Sequence, residues 1–118
     1  MESRLRFTKE HRLLAASDYS RVFDRPKRSH DRLFTVLCRK RPAGDSRLGL
    51  AISKKHCRLA TARNRIKRVV RESFRQHQHL IKGVDIVVIN KPAAAKATNR
   101  QLFDSLAQHW KRCADVSS

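Results

Sequence analysis

Residues 61–75 of this 118-residue chain read TARNRIKRVVRESFR, and apolar residues recur there at the spacing of an α-helix. The pattern predicts a helix that begins between Leu59 and Ala62, ends near Gln78, and packs one face on a β-sheet. The apolar face comprises Leu59, Ala62, Ile66, Val69, Val70 and Phe74. The helix therefore decides how the flanking segments assemble, because they must supply the sheet that covers this face.

The opposite face of the predicted helix is basic. It comprises Asn64, Lys67, Arg68, Arg71 and Arg75, with Arg63 and Arg65 at its two borders. Like charges one helical turn apart cost a few tenths of a kcal/mol each, so a purely structural surface would interleave more acids than Glu72. Arginine binds phosphate with two parallel hydrogen bonds, and Asn64 adds a neutral donor and acceptor. This cluster of basic side chains indicates that the protein contacts a polyanion.

The whole composition supports a nucleic-acid partner. The chain has 28 Lys and Arg residues against 10 Asp and Glu, which gives a net charge of +18. The positive side chains of a compact protein with this charge repel one another unless a polyanion is near. An anionic membrane surface is the other candidate partner. No run approaches the roughly 20 apolar residues of a membrane span, and the N-terminal MESRLRFTKEHR lacks an apolar signal-peptide core. We therefore expect a cytoplasmic protein, with RNA and DNA not separated at this point.

Outward from the central helix, the pattern predicts a single α/β (α+β) domain over residues 1–118, with helices packed on a small sheet. Residues 1–10 and 113–118 are expected to be flexible. The predicted elements are a helix from Ser17 or Asp18 to Phe23, strands Leu33–Arg39 and Arg47–Ser53 paired as a hairpin, the central helix, strand Val84–Ile89, and a helix from Thr98 whose capping box is completed by Gln101. Leu102, Leu106 and Trp110, joined by Phe103 and Ala107, form the apolar stripe of the last helix.

The reactive residue types indicate no catalytic or metal site in the protein. Cys38, Cys57 and Cys113 lack CxxC spacing, and in a reducing compartment they are expected to be free thiols. The histidines show no metal spacing, the carboxylates form no close pair, and no glycine-rich phosphate loop is present. His56 beside Cys57 is a weak nucleophile signal, since neighbours in sequence seldom share the required geometry.

Residues 49–75, GLAISKKHCRLATARNRIKRVVRESFR, resemble the signature of the bacterial ribonuclease P protein family. The hallmark is Arg63–Arg65, an Arg-Asn-Arg core that follows the Ser-Lys-Lys segment Ser53–Lys55. Two further family motifs are matched by Asp18–Phe23 and by Lys91–Ala93, so the resemblance covers roughly residues 11–112.

The resemblance implies a small sandwich with helices on a mixed β-sheet and a left-handed β-α-β crossover, whereas general pattern rules favour the right-handed form. It implies a protein that assists a catalytic RNA in removing the 5′ leader from precursor tRNA, with the Mg²⁺ ions held mainly by that RNA. The implied partners are therefore the catalytic RNA and the precursor tRNA. The implied RNA-binding residues are Lys54, Lys55, Arg63, Asn64, Arg65, Lys67, Arg68, Arg71 and Arg75.

The resemblance also implies a cleft between the sheet and the helices that binds the single-stranded leader. Its residues here are Tyr19, Phe23 and Leu37, where Leu37 occupies a position at which relatives can carry a further aromatic. From helical spacing alone, Tyr19 and Phe23 are more often core residues that share a helix face than platforms on which bases stack, whereas the resemblance favours stacking. Three other functions remain open: a structural RNA-binding protein such as a ribosomal protein, a DNA-binding module that uses the basic helix, and a protein nuclease.

Overall fold

A four-stranded mixed sheet with helices on both faces forms the described part of the chain, residues 16–41 and 44–117 of a computed structural model. The elements are α1 (Ala16–Phe23), β1 (Lys27–His30), β2 (Phe34–Lys40), β3 (Arg47–Ala51), α2 (Ala60–His77), a 3₁₀ turn (Gln78–Leu80), β4 (Val84–Asn90), a second 3₁₀ turn (Pro92–Lys96) and α3 (Asn99–Ser117). The predicted α+β class, with helices on a mixed sheet, is confirmed.

The strand order is β1-β2-β4-β3, and this order corrects the predicted hairpin. β3 pairs with β4 in parallel, and β2 pairs with β1 and β4 in antiparallel fashion, so the predicted pairing of β2 with β3 is wrong. The physical reason is burial: residues Val84–Val88 are all buried, and a strand apolar on both faces is most stable in the middle of a sheet. The chain between β3 and β4 contains α2, which makes the crossover that parallel pairing requires.

Strand β1 is missing from the sequence prediction. Its four residues are KRSH, of which only Ser29 is buried, so no apolar alternation marks it as a strand. It exists because β2 offers it a partner edge, with Lys27 opposite Cys38 and His30 opposite Thr35.

The two faces of the sheet carry separate apolar clusters. On one face, side chains of β2, β3 and β4 pack against α2 and α3 around Ile66, Phe74 and Trp110. On the other face, Val22 of α1 packs on Leu37 and Val87. The predicted orientation of α2 is confirmed for Ile66 and Phe74, which are fully buried.

Leu59 is an exception on α2, because it was predicted to face the sheet and is 69% exposed. The helix begins at Ala60, and Leu59 is the extended residue before it, with φ −80° and ψ 127°, so its side chain leaves the helical register.

Helix α3 begins as predicted. The Thr98 N–H donates to Gln101 Oε1 at 2.9 Å and the Gln101 N–H donates to Thr98 Oγ1 at 3.1 Å, which confirms the capping box. Trp110 Nε1 donates to Ser73 Oγ at 2.8 Å and the Trp110 ring meets Phe74 edge-on, so this helix is fixed against α2. The helix continues to Ser117, so most of the C-terminal segment expected to be flexible belongs to α3, while residues 1–10 lie outside the described part.

Cys38 and Cys113 form a disulfide, which corrects the prediction of three free thiols. Cys38 lies on β2 and Cys113 near the end of α3, and the packing of α3 on the sheet brings their Cα atoms within 5.8 Å across 75 residues of sequence. That distance suits a disulfide, and sequence spacing could not show it. Cys57 is a free thiol, as predicted, and it is buried.

Arg25 has the left-handed backbone angle φ 57° just after α1 ends. This position commonly terminates helices and favours glycine, because a Cβ there meets the backbone. We expect Arg25→Gly to raise the free energy of unfolding by about 1 kcal/mol, measured by urea denaturation. Arg25→Ala serves as the control, because it removes the same charge and keeps the Cβ. Equal stability of the two variants would contradict this explanation.

Candidate nucleic-acid interface

The outer face of α2 is an exposed basic surface held on a buried apolar one. Asn64, Arg68 and Arg71 are exposed and Lys67 is half-buried, while Val70 on the opposite side is fully buried. The first turn of the helix contains no acidic residue and no side chain caps its N-terminus, so the helix dipole adds positive potential there. The helix can therefore present positive charge to an anion without any rearrangement of its packing.

The cationic side chains in the middle of this face have no partner in the described part of the protein. Within the described residues, Lys67, Arg68 and Arg71 form no side-chain hydrogen bond or ion pair. The one acid on this helix, Glu72, accepts hydrogen bonds from Arg75 and Gln76, and the bond from Arg75 lowers the pKa of Glu72. The charge of Arg75 is thus partly neutralised, whereas the charges of Lys67, Arg68 and Arg71 are available to a ligand.

The two border arginines are used within the protein. Arg63 Nη1 donates to the backbone carbonyls of Cys57 at 3.0 Å and Arg58 at 2.8 Å, and Arg65 donates to Asn99 Oδ1 at 2.8 Å and to the Ala95 carbonyl. Arg63 therefore holds the preceding loop and Arg65 holds the start of α3. Of the Arg-Asn-Arg core, Asn64 alone is exposed, and the two arginines are half-buried.

The loop before α2 is fixed by a residue that sequence reasoning missed. Asn90, buried at the end of β4, accepts a hydrogen bond from the Ser53 N–H at 2.8 Å and donates to the Ser53 carbonyl. Ser53 Oγ in turn accepts from the His56 N–H at 3.2 Å. Lys54 and Lys55 are exposed on this held loop and extend the basic surface of α2.

The candidate leader site lies on the other face of the sheet, around α1. Phe23 is 48% exposed, Tyr19 is half-buried, and Leu37 is buried beneath Val22. Phe23 and Tyr19 can therefore offer ring surface to a base, whereas Leu37 belongs to the buried cluster on which Tyr19 packs.

Gly49 on β3 lets Tyr19 lie close to the sheet. A Cβ at position 49 would lie 2.8 Å from the Tyr19 hydroxyl and ring edge, well inside van der Waals contact. A glycine inside a strand is the sequence signal for such a close approach, and it could have identified this position.

A buried carboxylate fixes α1 against the sheet. Asp85 on β4 is fully buried and accepts two parallel hydrogen bonds from Arg47, both 2.9 Å, and one from Arg21 of α1. Arg41 Nε lies 3.7 Å from the same carboxylate, and Asp18 of α1 pairs with Arg47 at 3.2 Å. Burial alone would raise the pKa of Asp85, but the hydrogen bonds from Arg47 and Arg21 outweigh it and the pKa is lowered.

Over residues 16–41 and 44–117, no three His, Cys, Asp or Glu side chains lie where they could hold a metal ion together. In the same residues, no helix is both long and apolar enough to cross a membrane.

The fold and surface define a class: a small α+β domain that presents a basic helix from a parallel β-α-β crossover. A family model described as Ribonuclease P matches residues 7–114. Ribonuclease P protein components from Yersinia enterocolitica and Salmonella arizonae are 43% and 42% identical to this chain over 109 residues, which are 92% of this chain and 92% of each relative. The RNase P protein of Staphylococcus aureus superposes with a TM-score of 0.81 at 33% identity, covering 93% of this chain and 100% of that one. The RNase P protein of Thermotoga maritima superposes with a TM-score of 0.76 at 35% identity, covering 86% and 96%.

The chain belongs to the ribonuclease P protein family. Members of this family are components of an endoribonuclease that acts in tRNA processing, and the family name implies an RNA partner.

Proposed function

We propose that this protein binds the catalytic RNA of ribonuclease P through the basic surface formed by α2 and the Lys54–Lys55 loop. One observation carries the proposal: Lys67, Arg68 and Arg71 project from a rigid helix without a partner among the described residues. Neutralising RNA phosphates with these side chains releases counterions, which favours binding and makes it depend on salt.

A second part of the proposal concerns the substrate. Tyr19 and Phe23 bind the single-stranded 5′ leader of precursor tRNA by stacking, above the floor that Leu37 provides. The leader is then held extended near the reactive phosphate, and affinity for precursor exceeds affinity for mature tRNA.

The Mg²⁺ ions are assigned to the RNA in this proposal, and the protein lowers the Mg²⁺ concentration that activity requires. Two of the described acids support this division, because Asp85 pairs with arginines and Asp31 accepts hydrogen bonds from backbone N–H groups and from Ser105. The bound Mg²⁺ would activate the nucleophile and stabilise the leaving oxygen. The protein side chains bind and orient the two RNAs. Because the proposed substrate is precursor tRNA and the relatives named above are bacterial, we propose that the protein acts in the bacterial cytoplasm.

The deciding experiment is cleavage of precursor tRNA by a bacterial ribonuclease P RNA at low Mg²⁺, with and without this protein. We expect strong stimulation with the correct mature 5′ end and no cleavage by protein alone. Cleavage by highly purified protein alone would indicate a protein nuclease instead. Folded protein that binds precursor and mature tRNA equally and gives no stimulation would indicate a structural RNA-binding protein.

Tight sequence-selective binding of duplex DNA would favour the DNA-binding alternative and count against the proposal. The same binding assay, run with a duplex DNA competitor at matched salt, measures this directly.

We expect Gly49→Ala to weaken binding of precursors with long leaders, because the new Cβ displaces the Tyr19 ring. The loss should be no greater than that of Tyr19→Ala, which removes a stacking contact of about 1–3 kcal/mol per base. The measurement is the affinity of the protein–RNA complex for precursors with long and very short leaders.

A double-mutant cycle checks that Gly49 acts through Tyr19. The loss in the Gly49→Ala, Tyr19→Ala double variant should be close to that of Tyr19→Ala alone, because the ring that the Cβ displaces is already gone. Additive losses would show that position 49 acts by another route.

A further inference from the structure

A second basic surface lies at the β1 edge of the sheet, the edge opposite β3. Lys27, Arg28 and His30 of β1 are exposed, as are Arg25 before the strand and Arg32 after it. Within the described part of the chain, Lys27, Arg28 and Arg32 form no ion pair. Two strands, β2 and β4, separate this edge from β3, so the β1 edge is distinct from the α2 surface.

The one acid in residues 25–32 is Asp31, and the contacts of its carboxylate are with Leu33, Phe34, Ser105 and His109, not with the basic side chains of this edge. Asp31 accepts hydrogen bonds from the N–H groups of Leu33 and Phe34, both at 2.9 Å, and from Ser105, and its carboxylate lies 3.3 Å from His109 Nε2. Burial raises the pKa of Asp31, but the hydrogen bonds from Ser105, Phe34 and Leu33 lower it to about 2.

The strand that carries the basic residues is held by the same interior groups. Ser29 Oγ lies 2.6 Å from Nδ1 of the buried His109 and accepts a hydrogen bond from Arg112 at 3.0 Å. Lys91 Nζ donates to the Asp31 carbonyl at 2.6 Å. The β1 edge is therefore preorganised, and binding there requires little ordering of the backbone.

The strand register separates the basic side chains onto two faces. Arg28 pairs with Leu37, which packs under α1, so Arg28 lies on the face of the leader cleft. Lys27 pairs with Cys38, which belongs to the core under α2 and α3, so Lys27 lies on the other face. His30 is on the same face as Arg28, about 7 Å along the strand.

We propose that Arg28, with His30 beside it, is a phosphate-binding site for the part of the 5′ leader that leaves the cleft across β1. The site rests on the leader-binding function proposed above and extends it to the sheet edge. The surface suits an RNA backbone, because Arg28 offers a planar fork to phosphate next to a cleft whose exposed groups are aromatic. Contacts of this kind position the strand without reading its sequence.

The test compares two neighbouring residues of equal charge. The Arg28→Ala and Lys27→Ala variants are each assembled with catalytic RNA, and affinity is measured for precursors with a long leader and with a one-nucleotide leader over a range of salt. For Arg28→Ala we expect about a three- to tenfold loss with the long leader, a salt slope smaller by about one, and no change with the short leader. Lys27→Ala should behave as the parent, and Arg28→Lys should keep most of the salt slope.

Several results would overturn the inference. Equal losses in Arg28→Ala and Lys27→Ala would show a general charge effect, and equal losses with long and short leaders would place another RNA segment at this edge. If the parent protein favours the long leader and Arg28→Ala keeps that preference in full, the edge site fails while the proposed cleft stands. If the parent itself has no preference for a long leader, the cleft proposal and this inference fail together.

Discussion

Replacing Asp85 with alanine is expected to lower the free energy of unfolding by about 3 kcal/mol, the lower end of the cost of removing one partner from a buried ion pair. The variant would leave three guanidinium groups, those of Arg21, Arg41 and Arg47, facing one another around an empty site. Their side chains are 19–32% exposed, so they can turn partly to water, which keeps the loss near that lower end. Urea denaturation of both proteins measures the difference.

Glu72→Ala is the matched control for this change. Glu72 also pairs with an arginine, but its side chain is 39% exposed, and solvent screens such pairs. The control should therefore be much less destabilised than Asp85→Ala. Equal losses would show that the Asp85 network contributes no more than a surface pair does.

Acidity provides an independent check on the same network. The pKa of Asp85 is lowered in the folded protein, so its contribution to stability is present above the ordinary value of 3.8 and is lost as the pH falls through the lower folded-state value. The parent should lose stability in acid over this range more steeply than Asp85→Ala, since the variant lacks that titration. Parallel acid curves would contradict the assignment.

The same variant should also separate the two proposed RNA contacts. Arg21 connects α1 to Asp85, so loss of the carboxylate loosens the helix that carries Tyr19 and Phe23. Under conditions where the variant is folded, we expect the preference for long leaders to fall while affinity for catalytic RNA holds, because α2 packs on the other face of the sheet. Loss of both affinities together would indicate a general change in the fold.

The parts of the fold that sequence predicted are those governed by local pattern. Helical spacing of apolar residues predicts α2, and the capping box at Thr98 predicts the start of α3. Each signal lies within one short segment of the sequence. Strand β1 and the parallel pairing of β3 with β4 depend on partners distant in sequence. The Cys38–Cys113 disulfide likewise depends on how α3 packs on β2.

The candidate site divides in the same way. The exposed charges of α2 were visible in the sequence, because helical register alone assigns them to the outer face. Asp85 and Asn90, which hold the site in place, could not be identified from the sequence, because their partners lie up to 64 residues away. One signal was present: a charged residue inside the apolar run VDIVVI must find partners if it is buried.

Changing Lys67, Arg68 and Arg71 together to alanine is expected to lower affinity for catalytic RNA by roughly a hundredfold, at about 1 kcal/mol for each lost phosphate contact. The slope of log affinity against log salt should fall by about three, since each contact releases about one counterion. Stability should hold or rise slightly, because the variant removes like charges one turn apart. Filter binding or fluorescence titration across a salt series measures affinity and slope together.

A triple change of Lys40, Lys82 and Lys111 to alanine is the charge-matched control, since all three are exposed and lie outside α2. It removes the same net charge, so it lowers general attraction to RNA equally but should leave most of the affinity intact. Similar losses in the two triple variants would mean that total charge, and not the α2 surface, determines binding.

Asn64→Ala separates orientation from charge within the same surface. The side chain is neutral, exposed and placed between two arginines that are already bonded within the protein. Its loss should therefore weaken binding of catalytic RNA while leaving the salt slope unchanged, because no counterion is released at that position. Unchanged affinity for Asn64→Ala would remove this residue from the interface and leave recognition to the cationic side chains of α2 and of the Lys54–Lys55 loop.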